Sequence, residues 1–216
     1  MSSSHESLEN LGSVDWAELD RNVIATYRTR SRELMECTLT FIDTIGVLRQ
    51  RGQKDVECIW NAACHINLVY HDLLGLIFHM SRSGEGWATS ILARTLATLI
   101  HEAVDDLNHL FGKEFYQACQ VADVPEILVT DLRMTKKQLS AFGNKHADLV
   151  KGIRMASGAH RDRDAIAFII SVGEASPDRL LDIATEFKEV LRSLGANCDA
   201  IIEAADETYR KRGVIP

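Results

Sequence analysis

The chain predicts an all-α fold, a largely antiparallel bundle of about six helices. Three observations carry that expectation. Three Pro and 13 Gly in 216 residues leave few turn signals. The long intervals between them are rich in Ala, Leu, Glu, Lys and Arg, which lose little side-chain freedom in a helix. Within those intervals apolar residues recur at three- and four-residue spacing, the period of a helix burying one face. An apolar content of 46% is ample for a continuous core. Residues 1–12 are read as a flexible polar leader and 13–216 as a single helical-bundle domain, because no internal repeat or Pro- and Gly-rich linker divides them.

Val14 to about Gly52 carries Trp16, Leu19, Val23, Tyr27, Leu34, Leu39, Phe41, Ile45 and Leu48 at helical period, which predicts one long helix or two in line. Asp55 to about Ser81 is apolar nearly all round, so that helix belongs at the centre. A third runs from the Ser83-Gly84-Glu85-Gly86 turn to Leu110 and stops at Gly112. Lys113 to Ala122 is a short helix. Pro125 then opens another, with Leu132, Leu139, His146 and Ile153 forming a seam that packs lengthwise on a partner helix and is expected to support self-association. The apolar run at 165–172 fits either a short extended segment or a helix. Ser176-Pro177-Asp178 supplies a cap, a Pro at the first helical position and a first-turn acid for a last helix to about Arg212. Trp16, Trp60 and Trp87 are expected in the core, and Tyr209-Arg210-Lys211-Arg212 at a solvated helix end.

The net charge of −7 argues against broad affinity for nucleic acid. Between Glu126 and Asp164, however, eight Lys or Arg stand against five Asp or Glu, leaving +3 there and −10 on the rest of the chain. Any anion site belongs in that segment. Five scattered Cys with no Cys-x-x-Cys pair fit reduced thiols rather than a disulfide framework or zinc ribbon. No run of about 18 uncharged apolar residues and no basic-then-apolar leader is present, so a cytoplasmic protein with no membrane partner is expected. The serine-hydrolase elbow, the phosphate loop, the dinucleotide fingerprint and the paired-His zinc helix are all missing. No cofactor is expected.

Chemistry concentrates in Ile153-Arg154-Met155-Ala156-Ser157-Gly158-Ala159-His160-Arg161-Asp162-Arg163-Asp164. Arg154 sits in the last turn of a helix closed by Ser157 and Gly158, with His160 just beyond, so both side chains can address one phosphodiester. In that reading His160 takes the 2′-hydroxyl proton of an RNA, Arg154 holds the phosphate, and Lys151, Arg161 and Arg163 bind substrate. Alternatively, the Arg and His residues only offset the helix's C-terminal dipole and pair with Asp162 and Asp164 in a non-catalytic interaction or scaffold protein. A third reading is a metal-binding enzyme. Glu102, Asp105, Asp106 and His109 share roughly a 100° arc of one helix, and His65, Asp72 and His79 share a stripe of the preceding one. Glu102, Asp106 and His109 would then take an ion with His65 or His79, although only Asp106-x-x-His109 approximates a carboxylate-x-x-His motif. His146, on the seam, is read as a core or interface histidine.

Arg154-x5-His160 at the end of a helix resembles the Arg-x4-6-His signature of the HEPN superfamily, helical domains that include metal-independent ribonucleases of toxin-antitoxin, abortive-infection and CRISPR systems. The resemblance covers about Glu126 to Arg212. It implies an active site at a homodimer interface, with Arg154 and His160 matching the signature Arg and His. The residue after the Arg is usually polar in that family and is Met155 here. RNA or a nucleotide, a second copy of the chain, and a partner protein are the partners it implies.

Overall fold

The computed structural model describes residues 16–84, 86–157 and 176–212, and among these the fold is all-helical with no strand. The six helices are α1 (Trp16–Gln50), α2 (Lys54–Arg82), α3 (Trp87–Leu110), α4 (Lys113–Val121), α5 (Glu126–Ser157) and α6 (Pro177–Lys211). The leader at 1–12 and the 165–172 segment lie outside the described residues.

α1 is one continuous helix. It ends where Gly52 turns left-handed, at φ 70°; the Gly52 and Gln53 amides donate to the carbonyls of Arg49 and Leu48, a closure that favours glycine because it has no Cβ to clash. α2 packs against α1, α3, α4 and α6, which is why its apolar residues run nearly all round. Val56, Ile59, Ile66, Leu73 and Met80 are all buried.

α5 lies between α3 and α6. Its seam is consumed within the chain: Leu132, Leu139 and Ile153 are at most 3% exposed, in the same core as Leu107 and Phe187. The expectation that this seam serves self-association is therefore corrected. The partner helices it needs are α3 and α6. α3 packs its Val104 side chain against Gly143 of α5, where a Cβ would stand 2.7 Å from Val104 Cγ1.

Three smaller expectations are also corrected. Trp87 is 60% exposed, on the outer side of a first turn whose Thr89, about 200° round the helix, is buried, and Arg94 lies over its ring at 5.3 Å. Ser176 caps α6 only through its carbonyl, which accepts from the Leu180 amide; its side chain makes no cap bond. At the end of α6 Arg210, Lys211 and Arg212 are exposed as expected, and Tyr209 is the residue that departs from the expectation. Tyr209 is buried, and the Arg212 guanidinium bonds the Asp123 carboxylate and, at 3.0 Å, the Val121 carbonyl. It thereby clamps the α4–α5 turn, where Asp123 is left-handed at φ 49°.

Candidate functional site

α3 and α5 run antiparallel, since contacts ascend α5 as they descend α3: Asn108 with Ser140, Val104 with Gly143, Glu102 with Arg154. Close approach at Gly143 forms the floor of a cleft of about 300 Å³ between them. Its polar wall is His101, Asp105 and Asn108 from α3 and Ser140, Asn144, His146 and Lys151 from α5. Ser140 Oγ donates to Asn108 Oδ1 at 2.9 Å, and Asn108 Nδ2 donates to the Val104 carbonyl at 2.9 Å. A cleft of this size with few placed polar groups is the usual form of a small-ligand site.

Arg154 stands at the end of α5, one turn beyond Lys151. Its Nη2 and Nε lie 3.3 and 3.4 Å from Glu102 Oε1, with side chains 40% and 54% exposed. The contact is long, single-pronged on the carboxylate side and open to water, which makes it worth less than about 1 kcal/mol. A phosphate offering two oxygens to the guanidinium fork can displace it. His160, Arg161 and Arg163 lie outside the described residues.

The third reading required several ligands to converge, and they diverge. Glu102 turns to Arg154; Asp106 lies 3.9 Å from His65 and Asp105 3.9 Å from His101. His79 stands edge-on to Tyr27 of α1 at 6.1 Å. Among the described residues no three His, Cys, Asp or Glu side chains come together as an ion would require. A shared arc on one helix was not enough, because each acid there has a different neighbour. His65 Nε2 is buried without a hydrogen-bond partner.

His146 sits between α5 and α6, its Nε2 3.0 Å from Glu186 Oε2 and its ring 4.8 Å from Phe142. Glu186 also accepts from Lys145 Nζ at 2.8 and 3.0 Å. The Lys145 hydrogen bonds first, then His146, hold the Glu186 carboxyl below the ordinary range. A lowered carboxylate pKa stabilises the fold above its unfolded value, about 4.3, and that contribution is lost as pH falls through the folded value. Because Glu186 is 41% exposed, solvent screening keeps the effect under about 1 kcal/mol. We predict that Glu186→Gln lowers thermal stability slightly at pH 7, and that the difference from wild type shrinks as pH falls below about 4.3 through the folded carboxyl's lower value. A difference that does not shrink as the pH is lowered would show that packing, not charge, is responsible.

Thiol catalysis lacks its nucleophile. Burial pushes Cys37, Cys58 and Cys64 up, takes Cys119 to about 12 and raises Cys198 further, so a thiolate is scarce at neutral pH. Among the described residues no helix is long and apolar enough to cross a membrane.

Known proteins add no constraint. No family model, curated protein or solved structure matches the chain.

Sequence reasoning placed Arg154 and Lys151 at one end of α5 but missed Asn108, Ser140 and Asn144 as lining residues, and Glu102 as the partner of Arg154. The signal available for the cleft was Gly143, a small residue in mid-helix that receives the Val104 side chain.

Proposed function

We propose that the protein binds RNA at the C-terminal end of α5 and cleaves it without a metal. The observation carrying this reading is the position of Arg154: half-exposed at the end of α5, one turn past Lys151, which lines the α3–α5 cleft, and held among the described residues by a weak pair to Glu102. The C-terminal end of a helix repels anions. A phosphate is attracted there only if side-chain cations outweigh the dipole, and Lys151 and Arg154, with Arg161 and Arg163 following in sequence, supply that excess. In the proposed reaction His160 removes the 2′-hydroxyl proton and the 2′-oxygen attacks phosphorus. The 5′-oxygen of the next nucleotide departs, taking up a proton, and a 2′,3′-cyclic phosphate remains. Arg154 neutralises charge growing on the non-bridging oxygens. An RNA substrate together with five unpaired thiols is consistent with the cytoplasm.

The test is titration of a fluorescein-labelled single-stranded RNA with the full chain, with cleavage assayed in EDTA. Affinity should fall steeply between about 50 and 200 mM salt, because each neutralised phosphate releases counterions, and cyclic-phosphate ends should accumulate. Wild-type protein that neither binds at low salt nor cleaves would overturn the proposal. It would leave the Arg154–Glu102 pair as a fastening between two helices.

A further inference from the structure

α1 packs lengthwise on α2, yet it carries a second apolar stripe that faces water. Met35, Leu39 and Ile42 are 46%, 54% and 52% exposed. Their spacing, i, i+4 and i+7, aligns them on one side of the helix, and Gly46 continues the line with open space where a side chain would stand. The neighbouring Ile45 and Leu48 are buried, so the exposed stripe lies beside the face used inside the fold.

Between residues 21 and 43 the charges flanking this stripe separate along the helix, and beyond them Arg49 is taken up by Glu57. Arg21, Arg28 and Arg32 lie in the N-terminal half, Glu36 and Asp43 in the C-terminal half, and all five are exposed. Among the described residues none of them forms an ion pair, whereas Arg30 pairs with Glu33 and Asp20 with Arg82. Arg32 and Asp43 are eleven residues apart, which at about 100° per residue returns to within about 20° of the same direction. They therefore mark two ends of one edge of the stripe.

We infer that α1 pairs with α1 of a second copy of this chain, antiparallel, through Met35, Leu39 and Ile42. A two-fold axis passing between residues 37 and 38 sets Arg32 of each copy opposite Asp43 of the other, so both charges are answered twice. Parallel pairing would instead set Arg28 and Arg32 against their own copies. That choice is made by repulsion as much as by attraction. The stripe with its flanks covers residues 28–47, about 30 Å of helix. A single pair of helices over that length is a small contact beside the roughly 1,200–2,000 Å² buried in standard stable interfaces, so a weak dimer is the expected result. This pairing is independent of the RNA reading, because α1 contributes nothing to the α3–α5 cleft.

The test is sedimentation equilibrium of the full chain from about 1 to 200 µM, a range spanning micromolar affinity. Wild type should pass from monomer to dimer, and Leu39→Glu should remain monomeric with an unchanged circular dichroism spectrum. Arg32→Asp and Asp43→Arg should each raise the dissociation constant about tenfold or more, since each places two like-charge pairs across the axis. The double variant should return to within about threefold of wild type. A wild type that stays monomeric throughout, or a Leu39→Glu variant that still dimerises, overturns the proposal. Single charge reversals whose effects fail to cancel in the double variant overturn the antiparallel register. A stripe left bare in the monomer then belongs to a different protein.

Discussion

Phe187→Ala is expected to lower the free energy of unfolding by about 3–5 kcal/mol, a large share of the roughly 5–15 kcal/mol that holds a domain folded. Phe187 is fully buried on α6 and stacks on Phe142 of α5, with ring centroids 5.1 Å apart and planes 20° from parallel. Truncation removes the transfer free energy of the ring and the aromatic pair with it. It also leaves a cavity that long helices, anchored elsewhere along their length, cannot close by local collapse. Urea titration gives the measurement. Ile127→Ala on the same bundle is the control: Ile127 is 66% exposed, so its loss should cost about 0.5 kcal/mol or less. Phe187→Ala costing under about 1 kcal/mol would mean that α6 does not dock on α5 as described.

The contrast between those two residues shows what periodicity conveys. Phe187 belongs to an apolar stripe on α6 whose buried residues recur through Leu180, Leu191, Leu194 and Cys198, and a single strong stripe predicts burial correctly. On α2 and α5 the rule holds for the faces turned to neighbouring helices, while Leu68 on α2 and Ile127 and Met134 on α5 stay exposed. On α1 it fails. Leu19, Val23 and Leu39 share the helical period with Ile45 and Leu48, yet the first three are exposed and the last two buried, since α1 rests lengthwise on α2. Period reveals a face and gives no count of what covers it.

Site chemistry was less legible for a related reason. The Arg154 position at a helix end followed from Ser157 and Gly158, which are local signals. Its pairing with Glu102, 52 residues away, depends on how α3 and α5 are phased about their axes, and that is set by Gly143 against Val104. The same phasing separates Glu102 from Asp106. Sequence put the two on one arc, whereas the fold assigns one to α5 and the other to His65 of α2. Asn197 and Thr135 make the matching point for α5 and α6, bonded at 2.8 Å although neither stands in a motif.

The second large effect expected is on RNA cleavage: Arg154→Ala and His160→Ala should each reduce the rate about a hundredfold or more, in EDTA as without it. The two losses have different origins. Without His160 no base takes the 2′-hydroxyl proton, so the step slows while RNA affinity is nearly kept. Without Arg154 both affinity and rate fall, and the salt dependence of binding becomes shallower by about one phosphate contact. Arg154→Lys should restore charge without the two-pronged geometry and recover only part of the rate. Glu102→Gln makes the sharpest test, because on the proposed reading the carboxylate that bonds Arg154 would compete with phosphate for the same guanidinium. It should tighten RNA binding several-fold, by up to about 1 kcal/mol, and most at low salt. A purely structural Arg154–Glu102 pair predicts a different set of results. Arg154→Ala and Glu102→Gln would then each cost about 0.3 to 1 kcal/mol of stability, and Glu102→Gln would leave RNA affinity where it was. Thermal melts and anisotropy titrations on the same preparations separate the two, since a purely structural pair moves stability and leaves RNA affinity where it was.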